Sequence, residues 1–314
     1  MRPAAGRSLW ARTVADPVTD TALVTGGLGR SGRWICDRLA DEGWDVVCVD
    51  RDHPGFETWG REGVDFRAAD VTDRGEVTDL VAGVDPDAVV HWAAIPVPTR
   101  HPDGRVFDTN VGAAHSVLVA AGRADARIVL ASSESTYGFP FASERTLPEY
   151  LPVDEAHPKR PEDAYGLSKV VAEEVAASVA RRHGVQVASL RPSWIQYPGE
   201  YTCLVNQENP QEGAGNFWSY VDVRDVASLV VAALETDFGG HEPFLALADD
   251  NCLGRPTAEA VREFYGGLPE QCDLEGEECA FSNAKAREVL GWEPDHDWRS
   301  AADEDVETPS LVAE

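Results

Sequence analysis

The feature that most constrains this chain is Thr25-Gly26-Gly27-Leu28-Gly29-Arg30-Ser31-Gly32, three spaced glycines between the apolar run Thr21–Thr25 and a helical stretch, Arg33–Glu42. A strand turning tightly into a helix gathers free backbone amides and the positive end of the helix dipole at one point, which suits a phosphate. Gly26 takes the tight turn, Gly29 lets a pyrophosphate approach the backbone, and Gly32 lets the helix pack against the strand. Arg30 and Ser31 share that loop. A glycine triple is also compatible with a plain strand–helix turn. Here strand, loop and helix follow in the order that dinucleotide binding requires.

The rest of the first half keeps this rhythm. Asp45–Val49, Val64–Ala68, Ala88–Trp92, Arg127–Ala131 and Val185–Leu190 read as strands, with helices over Arg74–Ala82, Asn110–Arg123 and Ala164–His183 between them. Such alternation predicts an α/β fold, a Rossmann-type doubly wound parallel sheet. After Pro192 the pattern loosens: Gly199–Gly215 is polar and irregular. Val221–Leu234, Thr257–Phe264 and Ala284–Leu290 read as helices and Pro243–Ala248 as a strand. We therefore expect an N-terminal extension (1–20), a dinucleotide-binding domain (21–192), a small substrate-binding lobe (193–302) with some elements returning to the first domain, and a solvated acidic tail (303–314).

Asp50 ends the second strand about 20 residues beyond the glycine loop, where a carboxylate can hold the adenine-ribose hydroxyls. That favours NAD. Arg51 and Arg30 are candidate partners for a 2′-phosphate, which leaves NADP open.

Charge is the unusual part of the composition. The net charge is −28, from 55 acidic and 27 basic residues. Self-repulsion on this scale destabilises a compact chain in dilute salt, and counter-ions remove that cost. The expectation is a halophilic, cytoplasmic protein, although an arginine-rich, high-GC mesophile would also explain why only Lys159, Lys169 and Lys285 are lysines. No basic patch invites nucleic acid, and no apolar run approaches the ~20 residues of a membrane span. The six cysteines form no CxxC pair and no histidine cluster, so neither a metal site nor a disulfide framework is expected.

Tyr165-Gly166-Leu167-Ser168-Lys169 places a phenol and an ammonium at i and i+4, on one helix face. Seven tyrosines and three lysines make that spacing rare by chance, although a surface Tyr–Lys contact would share it. A phenol with a free pKa of ~10 becomes a base for an alcohol if a cation stabilises its anion. The substrate oxygen then needs a hydroxyl donor. Ser133 follows the strand Arg127–Ala131 and so belongs at the carboxyl edge of the sheet, with Ser132 and Ser135 as neighbours.

Taken together, these motifs resemble the extended short-chain dehydrogenase/reductase family, of the NAD-dependent epimerase/dehydratase type. The resemblance runs from about Thr21 to Pro294. It adds Asp70-Val71, His91-Trp92-Ala93-Ala94, Asn110-Val111, Ser132-Ser133-Glu134-Ser135-Thr136-Tyr137-Gly138, Leu190-Arg191-Pro192, Tyr220–Val226 and Ala284–Trp292 to the pieces above. It implies that Asp70 and Val71 flank the adenine, that Ala93, Ala94 and Pro192 lie on the nicotinamide side, and that Asn110 supports the wall. It makes Ser133, Tyr165 and Lys169 the catalytic set, and it implies a homodimer.

For the substrate, the segment Pro192–Ser219 is short and contains neither Arg nor Lys. A diphosphate would find no cationic grip there. The arginine expected for a uronate carboxylate is missing as well. A neutral sugar or polyol fits best, with Ser133, Glu134, Ser193, Trp194 and Gln196 as pocket candidates; Tyr197 and Trp218 are as readily explained by packing. Two functions follow: net oxidation of a sugar hydroxyl by NAD(P), or an NAD-retaining nucleotide-sugar epimerase or dehydratase. A non-catalytic dinucleotide sensor would have no use for the acid–base tyrosine.

Overall fold

In a computed structural model, residues 19–52 and 60–311 are described. The expected extension, 1–20, lies almost wholly outside them, as do the last three residues of the tail.

The chain runs β1 (Thr21–Thr25), α1 (Gly32–Asp41), β2 (Asp45–Asp50), β3 (Val64–Ala68), α2 (Arg74–Val84), β4 (Ala88–His91), α3 (Asp103–Arg123), β5 (Arg127–Ala131), β6 (Tyr150–Leu151) and α4 (Ala164–His183). It continues through β7 (Val187–Pro192), β8 (Trp194–Gln196), α5 (Val205–Glu208), α6 (Pro210–Gly213), β9 (Tyr220–Asp222), α7 (Val223–Glu235), β10 (His241–Ala246), α8 (Thr257–Tyr265), β11 (Gln271–Cys272), α9 (Ala284–Leu290) and α10 (Trp298–Ala301).

Seven strands form one sheet in the order β10-β7-β5-β4-β1-β2-β3, with every pairing parallel. Helices cover both faces. The central strands therefore read as continuous apolar runs instead of alternating ones, and β4 and β7 are buried at every position. The chain reverses its direction of travel across the sheet between β1 and β4, so a crevice opens at their carboxyl ends.

Two apolar cores lie on the faces of the sheet. One joins α1, α7 and α9 with Leu311. The other joins α2, α3 and α4. Capping sets the helix starts: Asp163 accepts from Gly166 N at 2.8 Å ahead of α4, and Asp73 from Gly75 N at 2.7 Å ahead of α2. A third core belongs to the lobe, built on Phe217, Trp218, Tyr220, Leu245 and Val261.

The strand near Pro243 lies in the main sheet as its seventh strand, in register with β7. Two expectations need revising. The lobe draws in Tyr137, Phe139, Leu151 and Val153 from before Pro192, so residue 192 does not separate the cores. The tail is not simply solvated: Leu311 is buried against the first core, and Glu304 pairs with Arg224 at 2.5 Å. An apolar side chain so close to the terminus gains more from burial than a mobile tail would keep in entropy.

The acid excess remains on the outside, and its repulsion is unsatisfied in dilute buffer. Raising KCl from 0.1 to 2 M is expected to lift the thermal midpoint by about 5 °C or more. An unchanged or lower midpoint by calorimetry would count against charge repulsion as a limit on stability.

Candidate active site

The crevice is built from the turn that follows β1. Gly26 has φ +70°, and a Cβ there would lie 2.8 Å from the backbone of Ala93, so the two segments meet with no space for a side chain. At Gly32 a Cβ would come within 2.1 Å of Gly26 O, which brings the first turn of α1 directly against the loop. Gly29 N donates to Gly26 O at 3.0 Å. The N–H groups of Arg30, Ser31 and Gly32 find no backbone acceptor among the described residues. Free amides at the N-terminus of a ten-residue helix, beside a cradle that side chains would fill, fit a dinucleotide pyrophosphate.

Asp50 closes this turn from β2. Its Oδ2 accepts from Leu28 N at 3.2 Å and its Oδ1 from Arg51 N at 2.8 Å. Asp70 is folded back on Thr72, accepting from its N at 2.9 Å and its Oγ1 at 2.7 Å. Those two bonds, helped by the charge of Arg51, hold its carboxyl below its usual range. Val71 beside it packs on the α2–α3 core. Arg51 is exposed next to Asp52, 3.8 Å away.

Arg30 lies over the ring of Tyr197 at 3.8 Å and pairs with Glu200. An aromatic face and a carboxylate in a segment without cations of its own draw the guanidinium there. Ser31 Oγ accepts from Trp92 Nε1 at 2.8 Å.

The other wall comes from β4, β5 and α4. Thr25 Oγ1 is 2.8 Å from His91 Nδ1 and accepts from Trp92 N at 3.2 Å, which fixes the strand end leading to Ala93 and Ala94. Burial and the Lys169 charge lower the His91 pKa to about 3, so its imidazole is neutral. Asn110 Oδ1 accepts from Ile95 N at 2.8 Å, and its Nδ2 donates to Ile95 O at 3.1 Å and Ser168 Oγ at 3.2 Å. One amide thereby ties α3, the loop after β4 and α4 together.

Tyr165 and Lys169 share the inner face of α4, and both are buried. Lys169 Nζ donates to Ala131 O at 2.7 Å and lies 5.5 Å from the Tyr165 ring centroid. Ser133, just beyond β5, lies against the phenol, and its Oγ is 3.1 Å from Ser135 Oγ. The structure thus brings the three residues together. Burial is the strongest influence on the phenol. Burial pushes Tyr165 up to about 12, against a lowering contribution from Ser133, and the nearby Asp163 and Glu134 charges add to the rise. Burial takes Lys169 down to about 8, opposed by Glu173.

The pocket candidates divide. Glu134 is buried, and accepts from Ser193 Oγ at 2.9 Å and Ser219 Oγ at 3.3 Å. Burial without a cationic partner lifts it to about 8. Trp194 is 39% exposed and free to face a ligand. Gln196 is not: its Oε1 accepts from Cys203 N at 2.9 Å and its Nε2 donates to Trp194 O at 3.0 Å, so its amide braces the loop after β8. Pro192 closes β7 in the core. Trp218 is fully buried and donates from Nε1 to Pro210 O at 2.6 Å, which is packing.

Sequence reasoning missed three residues. Ser219 joins the Glu134 cluster through a turn that no motif announces. Phe141, 36% exposed, stands edge-on to Tyr165 at 6.4 Å. Glu173 lies behind the triad, and its i+4 spacing from Lys169 was its available signal.

The model of the NAD dependent epimerase/dehydratase family matches residues 22–209. The L-arabinose 1-dehydrogenase (NAD(P)(+)) of Haloferax volcanii is 35% identical over 191 residues, 59% of this chain and 71% of that one. A putative UDP-glucose 4-epimerase of Methanocaldococcus jannaschii is 32% identical, covering 88% of this chain and 93% of that one. The crystal structure of UDP-glucose 4-epimerase from Brucella ovis in complex with NAD superposes with a TM-score of 0.66 at 21% identity, covering 90% and 96% of the two chains.

The Glu134 carboxyl gives a stability test. A carboxyl whose proton is held more tightly in the folded state loses stability as pH rises from its ordinary value, 4.5, to about 8. Glu134→Gln removes that loss. Its thermal midpoint should gain on the parent's progressively between those limits and no further above them. A difference independent of pH from 5 to 9 would contradict the burial of an ionisable Glu134.

Proposed function

Because the chain belongs to the NAD dependent epimerase/dehydratase family, we propose that it is a cytoplasmic sugar dehydrogenase that oxidises a hydroxyl of a neutral sugar with net transfer of hydride to NAD. It is an NAD(P)-dependent oxidoreductase of the extended short-chain type. The observation that carries the finer reading is electrostatic. Pro192–Ser219 has no Lys or Arg. Three cations beside the crevice already have partners: Arg30 with Glu200, Lys169 with Ala131 O and Arg191 with Glu173. A diphosphate or a carboxylate would enter a pocket whose walls offer Glu134, serines and aromatic rings.

When bound, NAD supplies the hydride acceptor. The chain's own part is to bind, orient and move one proton. Ser133 donates to the substrate oxygen and sets the hydroxyl against Tyr165. The Tyr165 oxygen takes the hydroxyl proton. Bringing a phenol at about 12 to neutrality needs roughly 7 kcal/mol of preferential stabilisation of its anion. Lys169 contributes to this by turning its ammonium from Ala131 O towards the phenol. Trp194 and Phe141 offer apolar faces to the sugar ring.

A second reading, an epimerase that retains NAD, is supported by the epimerase-named relative's match across most of the chain. The two differ in one measurement. With free aldoses and NAD in high salt, the dehydrogenase produces NADH absorbance in step with sugar consumed. An epimerase holds its cofactor and produces none.

A homodimer through α3 and α4 is part of the proposal, and it rests on the family resemblance. None of the described helices is long and apolar enough to cross a membrane.

Tyr165→Phe should lower kcat by ~10²–10⁴ with NAD affinity kept. Full activity in that variant would remove Tyr165 from the chemistry. Asp50→Ala should weaken NAD by about tenfold and NADP less, since only NAD offers both ribose hydroxyls. Equal losses in fluorescence titrations would dissociate Asp50 from the ribose.

A further inference from the structure

Behind the triad lies a buried cluster with no part in the chemistry described so far. Glu173 follows Lys169 by one helical turn and is 2% exposed. Its Oε1 accepts from Ser132 Oγ at 2.6 Å and from Arg191 Nε at 2.8 Å, and its Oε2 accepts from Arg191 Nη2 at 2.7 Å and Lys159 Nζ at 3.1 Å. Arg191, also 2% exposed, donates onward from Nη1 to Tyr137 Oη at 2.8 Å and Glu155 O at 3.2 Å. Tyr137 Oη donates to Asp154 O at 2.8 Å. A single carboxylate therefore ties the residue next to Ser133, the helix that carries Tyr165 and Lys169, and strand β7.

We infer that Glu173 is a positioning residue that fixes Ser133 in register with Tyr165 and, through its charge, keeps Lys169 in the ammonium form. This rests on the oxidoreductase reading of the same site.

The geometry supports both parts. Ser132 Oγ is held by Glu173, and the next residue, Ser133, meets the phenol further along the same helix, so the Ser132 bond fixes the strand end that carries Ser133. A fully satisfied, bidentate carboxylate–guanidinium pair holds its angle far more tightly than apolar packing would. Electrostatically, Lys169 is in a demanding position. Facing it are His91 from β4, which is neutral; Ala131 O from β5; Tyr165 and Glu173 from α4; and, across Glu173, Arg191 from β7, Lys159 and His241. Glu173 is the one anion in that set. Burial disfavours its charge, but Arg191, Ser132 and Lys159 hold it at about 2, so it is ionised throughout the working range. Its field opposes the desolvation that would otherwise strip Lys169 of its proton. An uncharged Lys169 could not stabilise a phenolate.

The chain's three lysines make a direct test possible. Full-length protein labelled with 13Cε-lysine gives three side-chain signals, and Lys169→Arg identifies the one it removes. In the parent, the Lys169 signal should titrate with a midpoint at about 8. In Glu173→Gln the midpoint should fall by about one to two pH units, and the alkaline limb of the turnover–pH profile should fall with it. An unmoved midpoint overturns the electrostatic part. Ser132→Ala removes one hydrogen bond and no charge. It should lower kcat about tenfold with KM, thermal midpoint and the Lys169 titration nearly unchanged. Full turnover in Ser132→Ala overturns the positioning part, and this variant carries the test where loss of a buried partner keeps Glu173→Gln from folding. If the parent turns over no sugar yet Lys169 responds to Glu173→Gln as expected, the dehydrogenase reading fails and the inference stands. If the parent turns over sugar and the Lys169 midpoint does not move, the inference alone fails.

Discussion

At Gly26 the chain leaves β1 with φ +70° and passes so close to Ala93 that no Cβ could fit between them. That contact joins the two strands flanking the switch point of the sheet. Gly32, at the start of α1, packs against the same glycine, and the amides of Arg30, Ser31 and Gly32 between them have no backbone acceptor among the described residues. Asp50 adds the second hold, reaching from β2 to Leu28 N. The triad on the far side of the crevice would have nothing to act with if this turn were relaxed.

Within that frame the buried charges are arranged as an ordered series. Glu173 is held ionised by Arg191, Ser132 and Lys159, and its charge opposes the effect of burial on Lys169. Lys169 is near its deprotonation point and held by a carbonyl. Tyr165 is protonated, and Glu134 holds a proton at neutrality because nothing positive is near it. The buried charges are thus largely paired or neutralised in a chain whose net charge is −28.

The parts legible in the sequence were those with strong local physics. Alternating apolar runs and helices announced the sheet, and the strand–glycine–helix order announced the turn. The i+4 spacing of Tyr165 and Lys169 placed both on one face of α4. What stayed hidden depended on distant partners. Arg30 carries no mark of its stacking on Tyr197, 167 residues later in the chain. Gln196 looked available because its polarity shows in the sequence and its loop partners do not. Which element after Pro192 would rejoin the main sheet did not show, because the partner of the strand near Pro243, β7, precedes it by some fifty residues. Burial of Tyr165, the dominant influence on its proton, is a property of the assembled wall and of no motif.

The central claim is that hydride leaves the sugar for good. It is tested most directly with a neutral aldose carrying deuterium on the carbon whose hydroxyl reacts. Mass spectrometry of the released cofactor should show one deuterium per NADH, formed in step with oxidised sugar. Conversion of the labelled sugar with no deuterium appearing in released cofactor would contradict the account and identify a chain that returns the hydride to its substrate.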